Sequence, residues 1–163
     1  MKNNISSFLF LSIITLVLQA CSSNGFHLRE STSLSGIYEK IALQGLAEES
    51  DLYRTLEAAI VDAGGSIVSA AVAGSTIAIS NLKEDKKIIA YTNKRVAREY
   101  RVYLHFDYQI KANKKREKRL IRLDKTLIYE ANFVLGKAEE EQRILQSLRE
   151  EAARLILLGL RYK

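Results

Sequence analysis

From Val96 to Lys111 apolar and polar positions alternate almost without a break. Val96, Tyr100, Val102, Leu104, Phe106, Tyr108 and Ile110 fall on one side, with Arg98 the exception. Ala97, Glu99, Arg101, Tyr103, His105, Asp107, Gln109 and Lys111 fall on the other. A period of two is that of a strand, so this stretch is predicted as one long strand with a buried and a wet face. Thr76 to Tyr91 holds two strand-like stretches around Asn81 to Lys87, and Tyr91 to Arg95 reads as a hairpin turn. After the long strand, Ala112 to Arg119 reads as a polar turn leading into a last strand over about 120–129.

The period changes on either side of this block. Leu52, Leu56, Ala59, Ile60 and Ala63 recur at helical spacing behind Glu49-Ser50-Asp51, which offers N-cap chemistry, and Gly64-Gly65 ends the run. Ile37–Leu43 before it and Ser66–Val72 after it are short apolar strand candidates. Strand, helix, strand with short links predicts a parallel pair. A last helix begins near Lys137, with Ile144, Leu148, Ala152, Leu155 and Leu158 as its apolar stripe. Glu139, Glu140 and Glu141 open it, where the helix dipole favours acids. The predicted fold is α+β: two helices on one face of a mixed four- to five-stranded sheet, a two-layer sandwich.

The first residues follow a different pattern. Lys2 precedes an uncharged, largely apolar run from Ile5 to Leu18. That run suits a signal-peptide core and is shorter than the ~20 residues of a membrane span. Leu18-Gln19-Ala20-Cys21 then resembles a bacterial lipobox, with a small residue just before the Cys. An ordinary secretory signal with an incidental Cys is the alternative. The lipobox predicts residues 1–20 as a cleaved lipoprotein signal, 21–35 as a lipidated tether, and 36–163 as the folded domain. Cys21 would then carry diacylglycerol and acyl lipid; at ~0.8 kcal/mol per buried CH₂, more than one chain anchors stably. Ser22, where Asp would favour inner-membrane retention by analogy with other lipoproteins, points to the outer membrane.

Composition narrows the chemistry. Cys21 is the single Cys of 163 residues, and the two His, His27 and His105, lie far apart, so a Cys/His zinc cluster is excluded. No nucleophile elbow, metalloprotease helix, phosphate loop or dinucleotide fingerprint is present. An enzyme working through Asp107 or Glu99 finds no base or nucleophile partner at matching spacing. No catalytic residue, metal site or cofactor is expected. The formal charge is +6, and its source is the middle of the chain, where residues 83–125 hold fifteen basic and six acidic residues. The densest run is Lys114-Lys115-Arg116-Glu117-Lys118-Arg119. It reads as a solvated turn, a nucleic-acid contact or a contact to phosphate-rich lipid headgroups; nucleic acid is discounted for a periplasmic lipoprotein.

Three stretches carry a family resemblance. Gly25-Phe26-His27-Leu28-Arg29 follows the lipobox Cys, Arg98-Glu99-Tyr100 follows the polar hairpin turn, and Val134-Leu135-Gly136-Lys137-Ala138-Glu139-Glu140 precedes the last helix. Together, and in this order of elements, they resemble the lipopolysaccharide-assembly lipoproteins of the LptE (RlpB) family. The resemblance implies a non-enzymatic subunit that plugs and supports the outer-membrane β-barrel LptD and binds lipopolysaccharide on the periplasmic face of the outer membrane. It places the basic lipopolysaccharide-binding positions at Lys94 or Arg95 and at Lys137. The charge run by itself adds Lys114, Lys115, Arg116, Lys118 and Arg119 as a secondary basic patch. Lys137 could instead serve only to neutralise Glu140 or Glu141 along the helix. The alternative function is another periplasmic outer-membrane lipoprotein of similar fold, a chaperone or envelope-stress component.

Overall fold

In the computed structural model, residues 34–128 and 137–161 are described. The signal, lipobox and Gly-Phe-His-Leu-Arg stretches lie outside them. A short 3₁₀ turn, Gly36–Tyr38, leads into β1 (Lys40–Gln44), α1 (Asp51–Asp62), β2 (Ser66–Ile67), β3 (Ser75–Tyr91), β4 (Ala97–Ala112), β5 (Lys115–Ile128) and α2 (Lys137–Arg161). The strands form one sheet in the order β2-β1-β3-β4-β5. β1 runs parallel to β2 and β3, and β3, β4 and β5 are antiparallel. The mixed α+β sandwich expected from the sequence is therefore present.

Local chemistry sets the element ends. Ser50 caps α1 by accepting the Tyr53 amide on its hydroxyl at 3.3 Å. Gly64 closes α1 at φ +80. The first strand starts later than the apolar run suggests. Tyr38 and Glu39 donate their amides back to Ser35 and Gly36, so this stretch turns before it can pair. The second strand is shorter than 66–72, because Val72 donates to Ser69 and the chain turns. The two stretches expected over 76–91 are one strand. Between Ser80↔Asp107 and Lys83↔His105, β3 advances one residue more than β4, a bulge with Asn81 at φ +55.

The largest departure concerns the run 112–119. Only Asn113 (φ +47) and Lys114 (φ +65) form the turn. Both take the left-handed conformation of a two-residue type I′ hairpin, and Ala112 pairs with Lys115 at once. The basic run is thus strand, not turn. Side chains of consecutive strand residues point to opposite faces, so the patch is split.

One face of the sheet carries the helices. Ile41, Ile77, Val102, Leu104, Phe106, Ile110 and Leu127 are almost wholly buried there against Leu52, Leu56 and Ile60 of α1 and Leu148, Ala152, Ile156 and Leu160 of α2. Each such side chain contributes about 1.5–3 kcal/mol by leaving water. The stripe of α2 is rotated from the one expected: Leu155 and Leu158 are half-buried and Ile156 is fully buried. Arg149 lies within this stripe. Its guanidinium pairs with Glu84 of β3 and, at 3.0 Å, with Asp51 at the start of α1. One cation thus ties both helices to the sheet.

Candidate basic sites on the hairpins and the open sheet face

The β3–β4 hairpin ends in a three-residue loop. Arg95 donates its amide to Thr92, Thr92 donates to Val96 at 2.8 Å, and the Thr92 hydroxyl accepts the Val96 amide. Asn93 and Lys94 occupy the centre of this turn, and Arg95 sits at φ +58, the left-handed position where Gly is commonest in such loops. Arg95 itself thus takes the conformation that Gly usually supplies in such a loop. Val96 belongs to this turn and is 60% exposed, so it is not on the buried face of β4.

The hairpin projects past the start of α2. Glu141 of α2 pairs with Lys86 of β3. From Lys86 to Thr92 the strand runs roughly 20 Å. From Glu141 back to Lys137 the helix covers only about 6 Å. Lys137 thus begins its helix at the same end of the sheet as Lys94 and Arg95, set back from the tip. Tyr91 and Val96, which flank the turn carrying Lys94 and Arg95, are exposed large hydrophobics, and Ile88, Ile89 and Ile128 are exposed further back along the strands.

The secondary patch is at the far end, by the β4–β5 turn. Register with β4 sorts its residues. Glu117 and Arg119 oppose Ile110 and Tyr108 and share the helix-covered face; Arg116 and Lys118 oppose Lys111 and Gln109 on the other. Arg119 pairs with Glu117 at 3.1 Å. Burial works against its charge, but Tyr108 and Glu117 outweigh it and hold its pKa above the ordinary value.

The face without helices is polar. Cross-strand rows on β3, β4 and β5 read Thr76–Lys111–Arg116, Ala78–Gln109–Lys118, Ser80–Asp107–Leu120 and Lys83–His105–Arg122. Asn81, turned by the bulge, donates to the Asp107 carboxylate at 2.6 Å. A groove of about 520 Å³ lies over the two middle rows. Asp107 is thus held by a neutral amide rather than poised against a base. Among the described residues no group of acids, His and Cys could hold a metal, and no helix is long and apolar enough to cross a membrane. The groove and the bulge that shapes it were not foreseen. Asn81 in an otherwise strand-like stretch was the signal that could have shown the bulge.

The fold is one found among small bacterial lipoproteins. The crystal structure of rare lipoprotein B from Shewanella oneidensis matches with a TM-score of 0.64 at 16% identity, over 74% of this chain and 92% of that one. A solution structure of an uncharacterized lipoprotein B from Nitrosomonas europaea matches with a TM-score of 0.65 at 21% identity, over 82% and 88%. A minor lipoprotein from Acinetobacter baumannii matches with a TM-score of 0.62 at 16% identity, over 77% and 92%. A search of curated proteins by sequence gave no match. The family model described as LptE, lipopolysaccharide-assembly, matches residues 38–160, and the chain belongs to that family. It is accordingly a lipopolysaccharide-assembly lipoprotein of the outer membrane. Of the two functions that the residues left open, the match selects this one over a chaperone or stress component.

Proposed function

We propose that this protein sits in the lumen of the LptD β-barrel as its plug, is anchored by lipid on Cys21 at the periplasmic face of the outer membrane, and binds lipopolysaccharide through the tip of the β3–β4 hairpin. It does so as a binding subunit, without catalysis. The observation that carries this reading is the tip itself, where Lys94 and Arg95 share a turn flanked by exposed Tyr91 and Val96, with exposed Ile88 and Ile89 further back along β3. Lipid A presents phosphates next to acyl chains. Cations pair with the phosphates through charge-assisted hydrogen bonds, and apolar side chains cover the first methylenes. The polar open face suits a barrel lumen, which is itself polar.

Removing the cations tests the binding role. Arg95→Gly keeps the left-handed turn and deletes the charge, so it separates electrostatics from folding. Combined with Lys94→Glu and Lys137→Glu, it is expected to weaken lipopolysaccharide binding by about 10-fold or more, since each lost charged contact is worth roughly 1.5–3 kcal/mol when desolvated. Urea midpoints and co-purification with LptD should stay near wild type. Normal binding by the triple variant would move the site away from the tip, and failure to recover LptD under mild detergent would reject the plug.

The anchor has its own test. Cys21→Ala should release a folded domain from the membrane, because the described core begins at Leu34, well after the anchor. Inhibiting the lipoprotein signal peptidase should leave a precursor longer by the 20 residues before Cys21. Unchanged gel mobility would remove the lipobox assignment.

A further inference from the structure

The two edges of the sheet differ in kind. β2 closes one with two residues, Ser66 and Ile67. β5 forms the other with 14, Lys115–Ile128. Among the described residues no strand pairs with the outer side of β5. The two-residue hairpin makes Ala112 and Lys115 a hydrogen-bonded pair, so the odd-numbered residues of β5 bond inward to β4. The main-chain N–H and C=O groups of the even-numbered residues, from Arg116 to Ile128, therefore point outward. A long edge of this kind is a template for another strand.

The charges along β5 select the strand that fits. Two copies related by a two-fold axis normal to the sheet pair antiparallel, and opposed residues then share a face, so each allowed register is centred on a residue. Centred on Ile121, Lys118 opposes Asp124 of the second copy and Glu117 opposes its Lys125, each pair occurs twice, and no like charges oppose each other. Centring on Leu120 sets Lys118 against Arg122 and Lys115 against Lys125; centring on Arg122 sets Arg119 against Lys125. Like charges directly opposed destabilise a sheet. In the Ile121 register the outward groups form roughly a dozen main-chain hydrogen bonds. Leu120, 52% exposed, comes to lie opposite Arg122 of the second copy, whose methylene stem covers it.

The second helix points to the same axis. Ser147 of α2 accepts from Lys125 at 2.6 Å, and Gly159 lies against the Arg119 guanidinium, which an added Cβ would meet at 2.7 Å. The helix thus runs opposite to β5, and Leu155 stands at about the level of Ile121. Ser147, Glu151, Leu155 and Leu158 follow one flank, the one on the β5 side, and both leucines there are only half-buried. Because α2 packs over β4 and β5 alike, the pairing sets the two α2 axes about 10 Å apart, the ordinary distance between packed helices. The register chosen by charge therefore also brings the half-covered leucine flanks together.

We propose that free copies of this chain pair edge to edge through β5, forming a two-fold dimer with one ten-stranded sheet, five strands from each copy, and the axis beside Ile121 and Leu155. The pairing stands apart from the barrel reading above. A lumen that takes a single copy competes with it, so the dimer is the state of the chain outside the barrel.

The test is sedimentation velocity of the full mature chain, without LptD, in a density-matched mild detergent from about 1 to 100 μM. The sedimenting mass should double across this range. Lys118→Glu places two acids opposite each other at both ends of the pairing and should weaken the dimer about 10-fold or more, with the circular dichroism spectrum unchanged. Leu120→Pro removes an outward N–H and no bond to β4, a place where an edge strand tolerates Pro, and should abolish the dimer. Register has its own readout. Leu120→Cys mixed with Arg122→Cys should form an interchain disulfide at least about 10-fold faster than either variant alone, because residues 120 and 122 oppose each other while 120 and 120 lie diagonally. A chain that stays monomeric at 100 μM would overturn the proposal. So would full dimerisation of folded Lys118→Glu and Leu120→Pro, which would place the interface elsewhere. Equal disulfide rates for the mixture and the single variants would reject the Ile121 register and with it the pairing proposed.

Discussion

Ile156→Asp is expected to leave the chain unfolded at room temperature. Ile156 is 0% exposed and packs in the core that α2 shares with α1 and the sheet. The change loses about 1.5–3 kcal/mol of apolar burial. It also places a carboxylate where no partner waits, which costs several kcal/mol more before the group protonates or the helix shifts. Domains of this size have about 5–15 kcal/mol in total. Leu155→Asp, one residue earlier on a half-buried position, should be clearly milder, and Lys115→Asp on an exposed strand position milder still. Far-UV circular dichroism and urea midpoints give the order. Equal midpoints for positions 155 and 156 would mean that α2 presents a different face to the sheet.

Gly45→Ala should come second. Gly45 follows β1 at φ +84, and a Cβ there would stand 1.9 Å from the backbone oxygen of Ile79. A backbone oxygen in a paired strand cannot swing aside as a side-chain tip can. Relief requires β1 to part from β3, breaking the parallel register that runs from Ile41↔Ser75 to Gln44↔Ala78. Left-handed strain alone costs about 1–2 kcal/mol for a residue with a Cβ. With the clash added, the loss should exceed about 3 kcal/mol, among the larger effects of single substitutions. Gly64→Ala, which has the same kind of φ (+80) but open space around it, should cost only the strain. Urea midpoints near each other for these two variants would show that the chain at Gly45 can move.

The period of the sequence carried the layer structure because burial and period are linked through geometry. Alternation from Tyr100 to Ile110 placed Val102, Leu104, Phe106 and Ile110 on the core face, since a strand cannot turn one residue without turning all of them. Ser50 and Gly64 marked both ends of α1 because capping acts within a turn of the chain. The signal and lipobox pattern, and the Gly-Phe-His-Leu-Arg stretch, are equally local, and the family they pointed to is the one whose model matches.

What sequence period could not reach was anything decided by a partner element. An apolar stripe on a helix spans about 100° or more, and only packing chose Ile156 over Leu155. Asn113 and Lys114 both adopt left-handed backbone because β4 and β5 are held in register on either side; without that pairing, Ala112 to Arg119 looks like a polar loop. The same pairing split the basic run, turning Arg119 toward Tyr108 and Glu117 and leaving Arg116 and Lys118 on the open face. Arg149 joins residues from three elements, so no spacing along the chain announces it. The groove over Asp107 likewise exists only once β3 bulges against β4. The sequence by itself determined which residues pair with water and which with the core within each element. The tertiary structure decided which charges meet across elements, because charge–charge distance depends on register and packing, and those are properties of the assembled sheet.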